Sequence, residues 1–204
     1  MIRKALLFSM AALVAGCAAI PERPPVEDPA GAWRARQAAL AAVAHWEIRG
    51  RLAVKTADEG WQASLVWVRA GDRHRIDLSG PLGGGHVRLT QDANGAQLRD
   101  SAQKVYRDHS AEQLLKRATG WTVPLEGLNY WMLGLPAPRS HAEHELDAWG
   151  RLKALRQIGW DVRFLEYASH GAHELPSKVF IKNAETSGLE VRLVIEQWSV
   201  KSKE

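Results

Sequence analysis

From Trp46 onward, apolar and polar residues alternate with a period of two, and that periodicity constrains the fold more than any other feature of the chain. Trp46, Ile48, Leu52 and Val54 alternate with Glu47, Arg49, Arg51 and Lys55. Trp61, Ala63, Leu65 and Trp67 alternate with Gln62, Ser64, Val66 and Val68. His74, Ile76 and Leu78 interleave with Arg75, Asp77 and Ser79, and Val87 and Leu89 with Arg88 and Thr90. Successive side chains of a strand point to opposite faces, so these runs predict strands with one face buried and one in water, the habit of antiparallel sheets. Asp58-Glu59-Gly60, Ala70-Gly71-Asp72 and Asp92-Ala93-Asn94-Gly95 supply the turns between them. Short strands around Ala96–Asp100 and Lys104–Arg107 complete a meander.

Helical signals interrupt the strands in three places. Trp33 to Ala44 carries Trp33, Leu40 and Val43 at helical spacing among alanines. Ser110 with Gln113 reads as a capping box, Leu114 and Leu115 give an apolar face, and Gly120 lies just past the end. Pro124 opens a third helix, in which Leu125, Leu128, Tyr130, Trp131 and Leu133 crowd before Gly134 and Pro136 stop it. Strands resume at Glu143–Asp147, Arg151–Arg156, Trp160–Tyr167, Lys178–Ala184 and Leu189–Val200. A long antiparallel sheet with one apolar face must cover that face. With three short helices and no second sheet, the expected architecture is mainly β: an unclosed antiparallel barrel, a half-barrel, capped by about three helices.

The first residues do not read as part of that domain. Arg3 and Lys4 precede an apolar run from Ala5 to Gly16, too short to cross a bilayer comfortably, which is the pattern of a secretory signal peptide over residues 1–16. Val14-Ala15-Gly16 leads directly into Cys17, the chain's single cysteine. That ending looks like a lipobox, where the thiol receives a diacylglycerol and the amine freed by cleavage an N-acyl chain; a lone cysteine without a disulfide partner fits it. Several acyl chains hold a protein stably where one does not, at roughly 0.8 kcal/mol per buried CH₂. Ala18 follows the cysteine in place of the aspartate that would signal retention in the inner membrane, which argues for the outer membrane. Residues 17–31 hold Pro21, Pro24, Pro25 and Pro29 and read as a semi-extended tether to a folded domain over 32–204.

Charge narrows the partners. Without Arg3 and Lys4 the 27 basic residues fall to 25 against 23 acidic ones, so no nucleic-acid footprint is expected. Enzyme signals are weak. His141 and His144, beside Glu143 and Glu145, lack a third ligand at a recognisable metal spacing, and His170 and His173 sit in another loop, beside Gly171, as solvated loop residues rather than a metal site. There is no Gly-x-Ser-x-Gly elbow, the one cysteine is committed to lipid, and Gly83-Gly84-Gly85 joins two strands without the helix and Lys-Ser/Thr of a phosphate loop. No metal, cofactor or catalytic residue is expected.

Two features point instead to apolar ligands. Nine tryptophans in one domain leave two readings open: a solid Trp-rich core, or large rings across a curved sheet that line an incompletely filled hollow. In the loop Ser79-Gly80-Pro81-Leu82-Gly83, Leu82 is a large apolar residue at a turn tip. It either folds back over the sheet edge or projects outward, where it can dip into a bilayer or touch an acyl chain.

Taken together, the lipobox, Trp33, the strand Trp61 to Arg69, Arg73-His74-Arg75-Ile76-Asp77-Leu78 leading into Pro81-Leu82-Gly83, Leu125-x-x-Leu128-x-x-Trp131-Met132-Leu133-Gly134-Leu135-Pro136, and Gln197-Trp198 resemble the LolB family of outer-membrane lipoprotein receptors. The likeness runs from the lipobox to Val200 and is weakest over Ala137 to Glu145. It implies a half-barrel around a hydrophobic cavity that accepts the acyl chains of lipoproteins from the periplasmic carrier LolA and releases them into the inner leaflet of the outer membrane. It also implies a monomeric, lipid-anchored protein facing the periplasm, with Pro81, Leu82 and Gly83 as the membrane-insertion loop. Trp33, Trp67, Trp131 and Trp198 fall on family tryptophans at or near the cavity, and Leu128 and Leu133 beside them are further lining candidates. Another lipid or glycolipid binder of the same half-barrel form, an anchored scaffold with a filled core, and a periplasmic hydrolase are the alternatives.

Overall fold

A computed structural model describes residues 24–81, 85–120, 122–184 and 188–201. Cys17, Leu82 and Gly83 therefore lie outside the described residues, as do residues 1–16, where the sequence predicts a signal peptide. The chain runs α1 (Pro29–Ala41), β1 (His45–Lys55), β2 (Gly60–Ala70), β3 (Arg73–Ser79), β4 (His86–Asp92), β5 (Gly95–Arg99), β6 (Val105–Asp108), α2 (Ala111–Thr119), α3 (Leu125–Met132), β7 (Ala142–Leu146), β8 (Leu152–Gln157), β9 (Trp160–His170), β10 (His173–Asn183) and β11 (Glu190–Val200). The strands form one antiparallel sheet in the order β6-β5-β4-β3-β2-β1-β11-β10-β9-β8-β7. No described pairing joins β6 to β7, so the barrel stays open, as the sequence pattern predicts.

Each edge is kept short and charged. β6 has four residues and β7 five, and Glu143 and Glu145 on β7 reach Arg156 and Lys153 of β8 at 3.5 and 3.6 Å. Such exposed pairs contribute little stability, but they make a poor template for a foreign strand.

The alternation places Trp46, Ile48 and Val54 of β1 and Ala63, Leu65 and Trp67 of β2 on the buried face. β11 keeps its apolar residues on that face across a parity change. Arg49 pairs with Gln197 but Gly50 with Ile195, so Glu196 is an extra residue. That bulge lets Trp198 and Val200 share a face with Val191, Leu193 and Ile195. A side chain at Gly50 has no room, because its Cβ would stand 2.1 Å from the Val194 carbonyl oxygen.

The helices depart from expectation mainly at their ends. α1 begins at Pro29, four residues before Trp33, because the Asp28 carboxylate accepts from the Gly31 N–H and proline is free to occupy the first turn. α2 is capped as its sequence predicts: the Ser110 hydroxyl accepts from the Gln113 N–H, and Gly120 takes the left-handed conformation at the C-terminus. β9 and β10 run further than the alternation indicates, because irregular pairing around Leu165 and Ser177 breaks the period while the ladder continues. His170 and His173 thus face each other across the ladder rather than lying in a loop.

In this antiparallel meander the β1–β2, β3–β4, β5–β6, β8–β9 and β10–β11 connections leave one end of the barrel, and the β2–β3, β4–β5, β7–β8 and β9–β10 connections the other. α1 enters at the second end, where Val26 N–H donates to the Ala148 carbonyl at 3.1 Å and Gly150 sits against the Pro29 carbonyl. The first is the open end of the barrel, the second its tether end.

Candidate functional site: an apolar cavity in the open half of the barrel

The two halves of the barrel are filled differently. Toward the tether end the rings of Trp67 and Trp198 pack edge-on against Trp46, with centroids 5.1 and 5.6 Å away, and Leu40 and Trp33 of α1 are buried. Toward the open end lies a cavity of about 970 Å³. Among its walls are Leu52 and Val54 of β1, Leu65 of β2, Leu89 of β4, Val191 and Leu193 of β11, and Leu114 and Leu128 of the two covering helices. The exposed wall residues Trp61, Tyr106, Arg107 and Arg117 mark its mouth. The volume sits near the top of the roughly 300–1,000 Å³ span of ligand pockets, and the lining is overwhelmingly hydrocarbon.

Of the lining candidates, Trp67, Trp131 and Leu128 are in the wall. Trp33, Trp198 and Leu133 are outside it. Trp33 is a buried residue of α1, its ring 5.7 Å from that of His144. Trp198 lies in the packed half, below the bulge, with its indole N–H donating to the Pro176 carbonyl at 3.0 Å. Leu133 follows the last turn of α3, fully buried in the core cluster beside the wall residues Trp131 and Met132. Sequence reasoning missed Trp61 and Trp160, which do line the cavity. Trp61 was legible, since it shares the odd-numbered inward face of Leu65 and Trp67. Of the loop candidates, Pro81 is exposed at the open end beside the last residues of β3.

Polar groups behind the wall hold it in place. Trp131 of α3 is fully buried, and its indole N–H donates to Gln157 Oε1 at 3.0 Å. The same oxygen accepts from Ala137 N–H at 2.9 Å, and Gln157 Nε2 donates to the carbonyls of Ala137 and Ser140. Gly127, one turn before Trp131, leaves the indole room to lie along the helix, since a Cβ there would meet the ring at 2.9 Å. The Trp67 indole N–H donates to His74 Nδ1 at 3.3 Å, which requires a neutral imidazole. Desolvation first, and the neighbouring Arg69 guanidinium second, push the His74 pKa down to about 4, so the acceptor persists at neutral pH.

Among the described residues no three His, Cys, Asp or Glu side chains gather as metal ligands. His144 lies on the exposed edge strand β7, its ring tilted against that of Trp33, and is not in the cavity wall. What the site offers is apolar surface in a space that a flexible hydrocarbon can enter.

A family model described as outer membrane lipoprotein LolB matches residues 44–198. An outer-membrane lipoprotein LolB of Nitrosococcus oceani is 37% identical over 199 residues, covering 97% of this chain and 98% of that one. One of Pseudomonas putida is 35% identical, covering 97% and 96%. Among solved structures, a LolA superfamily protein from Nitrosomonas europaea covers 78% of this chain and 87% of its own, with TM-score 0.47 and 11% identity. A DUF1329 family protein from Desulfovibrio piger covers 87% and 95%, with TM-score 0.49 and 6% identity.

Proposed function

The chain belongs to the LolB family of outer-membrane lipoproteins, and on that premise we propose that it receives acylated lipoproteins from a LolA-type periplasmic carrier and inserts them into the outer membrane. It resides in that membrane, facing the periplasm. The observation that carries the reading is the cavity of about 970 Å³, walled by leucine, valine and tryptophan, at the open end of an unclosed barrel.

The physics of the cargo explains why such a cavity is needed. Exposing an acyl chain of about sixteen carbons to water costs about 12 kcal/mol, at 0.8 kcal/mol for each methylene. Chains must therefore pass from one apolar environment to the next. A binding protein can only shift that equilibrium through differential affinity, so handover runs downhill from carrier to receptor to bilayer. A cavity that is greasy without being filled suits an intermediate station, offering apolar area without the close packing that would trap its guest.

On this reading the protein acts by binding rather than catalysis and carries no cofactor beyond the acyl groups on Cys17. Trp67, Trp131 and Leu128 contact the guest chains, and Pro81, Leu82 and Gly83 form the loop that engages the membrane. The test is transfer of a radiolabelled lipoprotein from purified, loaded carrier to the leaderless Cys17→Ala chain. Cargo should move to the soluble chain and then to added vesicles. Cargo that stays on the carrier would refute the receptor role, and binding of free lipids alone would reassign the protein as a general lipid binder.

A further inference from the structure

Resting on that reading, we propose that the β8–β9 turn, with Ile158 at its tip, is a second membrane-contact point, and that the barrel meets the phospholipid surface with its open end.

The turn has a sequence that its geometry does not favour. Ile158 and Gly159 both take left-handed backbone conformations, with φ of 55° and 73°, between paired Gln157 and Trp160. A two-residue turn of that kind prefers asparagine, aspartate or glycine at its first position. A β-branched residue there is strained. Of the three described non-glycine residues with positive φ, Gln103, Arg139 and Ile158, only the isoleucine is β-branched. It gains little burial in return, being 46% exposed.

Its location supplies a use. Four large hydrophobic residues among those described are exposed: Trp61, Tyr106, Ile158 and Leu165. The first three stand at the open end, in the first residues of β2, near the start of β6 and in the β8–β9 turn. Trp61 and Tyr106 also border the cavity mouth. The β3–β4 connection, which holds Pro81, leaves the same end, with four strands between β3 and β9 across the sheet. Ile158, the exposed Pro81 and the rim aromatics Trp61 and Tyr106 stand on separate parts of one rim, and a surface that meets all of them faces the cavity mouth. Charges of both signs, Asp58, Glu59, Lys104 and Arg107, share the rim, so the contact is apolar rather than a cationic footprint.

The tether permits this pose. The folded domain takes up the chain at Val26, on the tether end. The nine residue-to-residue steps from Cys17 to Val26 reach about 30 Å at full stretch. An 11-residue strand such as β9, tilted as barrel strands are by about 40°, spans about 28 Å of barrel height. A chain anchored at Cys17 thus reaches past the barrel just far enough for the opposite rim to touch the bilayer.

The experiment uses the full acylated chain in vesicles of phosphatidylethanolamine and phosphatidylglycerol. Cys17 being lipidated, Ile158→Cys adds one labelling site for an environment-sensitive dye. Its emission should shift to the blue and be quenched at least twofold by lipids carrying a shallow nitroxide, also at high salt, while a dye on Asn94→Cys at the tether end is not. An unquenched Ile158→Cys, equal quenching at both positions, or shielding that needs added carrier instead of lipid overturns the proposal. Ile158→Asn, which suits the turn, should melt no lower and take up cargo normally but deliver it to vesicles severalfold more slowly; unchanged delivery overturns the proposal as well. Absent uptake by the unsubstituted protein would sink the receptor reading, whereas the dye measurement is read without cargo.

Discussion

Gln157 of β8 holds Trp131 of α3 by a hydrogen bond of 3.0 Å from the indole N–H to Oε1, and both side chains are at most 2% exposed. The same amide clamps Ala137 N–H and the carbonyls of Ala137 and Ser140. One side chain thus ties the cavity wall and the connection after α3 to the sheet. Gln157→Leu keeps the volume but orphans those groups, and unsatisfied buried polar atoms cost about 1–3 kcal/mol each before relaxation. The expected loss is about 3 kcal/mol, lowering the melting temperature by about 6–12 °C in a calorimetric scan. A variant that melts within a degree or two of the parent would show that water replaces the amide.

Gly50 makes a second sharp prediction, because its obstacle is backbone. Gly50→Ala brings a methyl to 2.1 Å from Val194 O and 3.0 Å from Ile195 Cα, at the bulge that carries β11 past β1. The ladder must open there, at about 2–4 kcal/mol. Hydrogen exchange of the amides around Val194 should accelerate more than that of β4 and β5, and uniform protection would disprove the local strain.

Leu82→Glu separates loop from cavity. If the leucine serves the membrane, the charged variant keeps its melting temperature and its uptake of cargo from loaded carrier, while delivery to vesicles drops at least tenfold. A melting temperature several degrees lower would place Leu82 in the core instead.

His74 sets a pH limit. Its folded pKa of about 4 lies below the 6.5 of an unperturbed histidine, so between those values the unfolded chain binds more protons. Its neutral form therefore supports the fold fully above pH 6.5, and that support is lost progressively as pH falls toward 4. With the ring partly exposed, the effect after screening is about 1–2 kcal/mol. Melting temperature should decline over that window, and His74→Gln, which keeps an acceptor for Trp67, should flatten the decline. An equal slope in both proteins would assign it to other groups.

How much of this was legible beforehand differs by feature. The strands, the open barrel and the cap of α2 follow from local rules: period-two alternation, turn residues, and Ser110 three residues before Gln113. Trp198 shows where local rules stop. Its even number sets it off from Leu189, Val191, Leu193 and Ile195, and a strand without irregularity would put it on the opposite face; the bulge at Glu196 returns it to the core, but in the filled half. Trp33 and Leu133 are apolar and buried as their patterns demand, yet whether a buried residue borders empty space depends on what stands opposite it. Only long-range packing decides that. Trp160, the first residue of β9 after a tight turn, reaches the cavity for the same non-local reason. The strain at Ile158 is likewise invisible until the backbone angle is known.

The cavity itself can be tested by filling it. Leu65 lies in the middle of β2, 5% exposed, with its side chain in the wall. In a close-packed core Leu65→Trp would be overpacked and cost about 1–3 kcal/mol. Here the larger ring has empty space to enter and buries added apolar surface at about 25 cal/mol per Å². The two cases predict opposite signs. With a hollow barrel, Leu65→Trp melts at or above the parent temperature while its affinity for a fluorescent fatty-acid probe falls at least fivefold, because ring and guest compete for the same volume. With a barrel that collapses in solution, the variant melts lower and the parent binds no probe. Lower stability together with undiminished probe binding would mean that the acyl chains go elsewhere, and the assignment of this cavity as the lipid site would have to be abandoned.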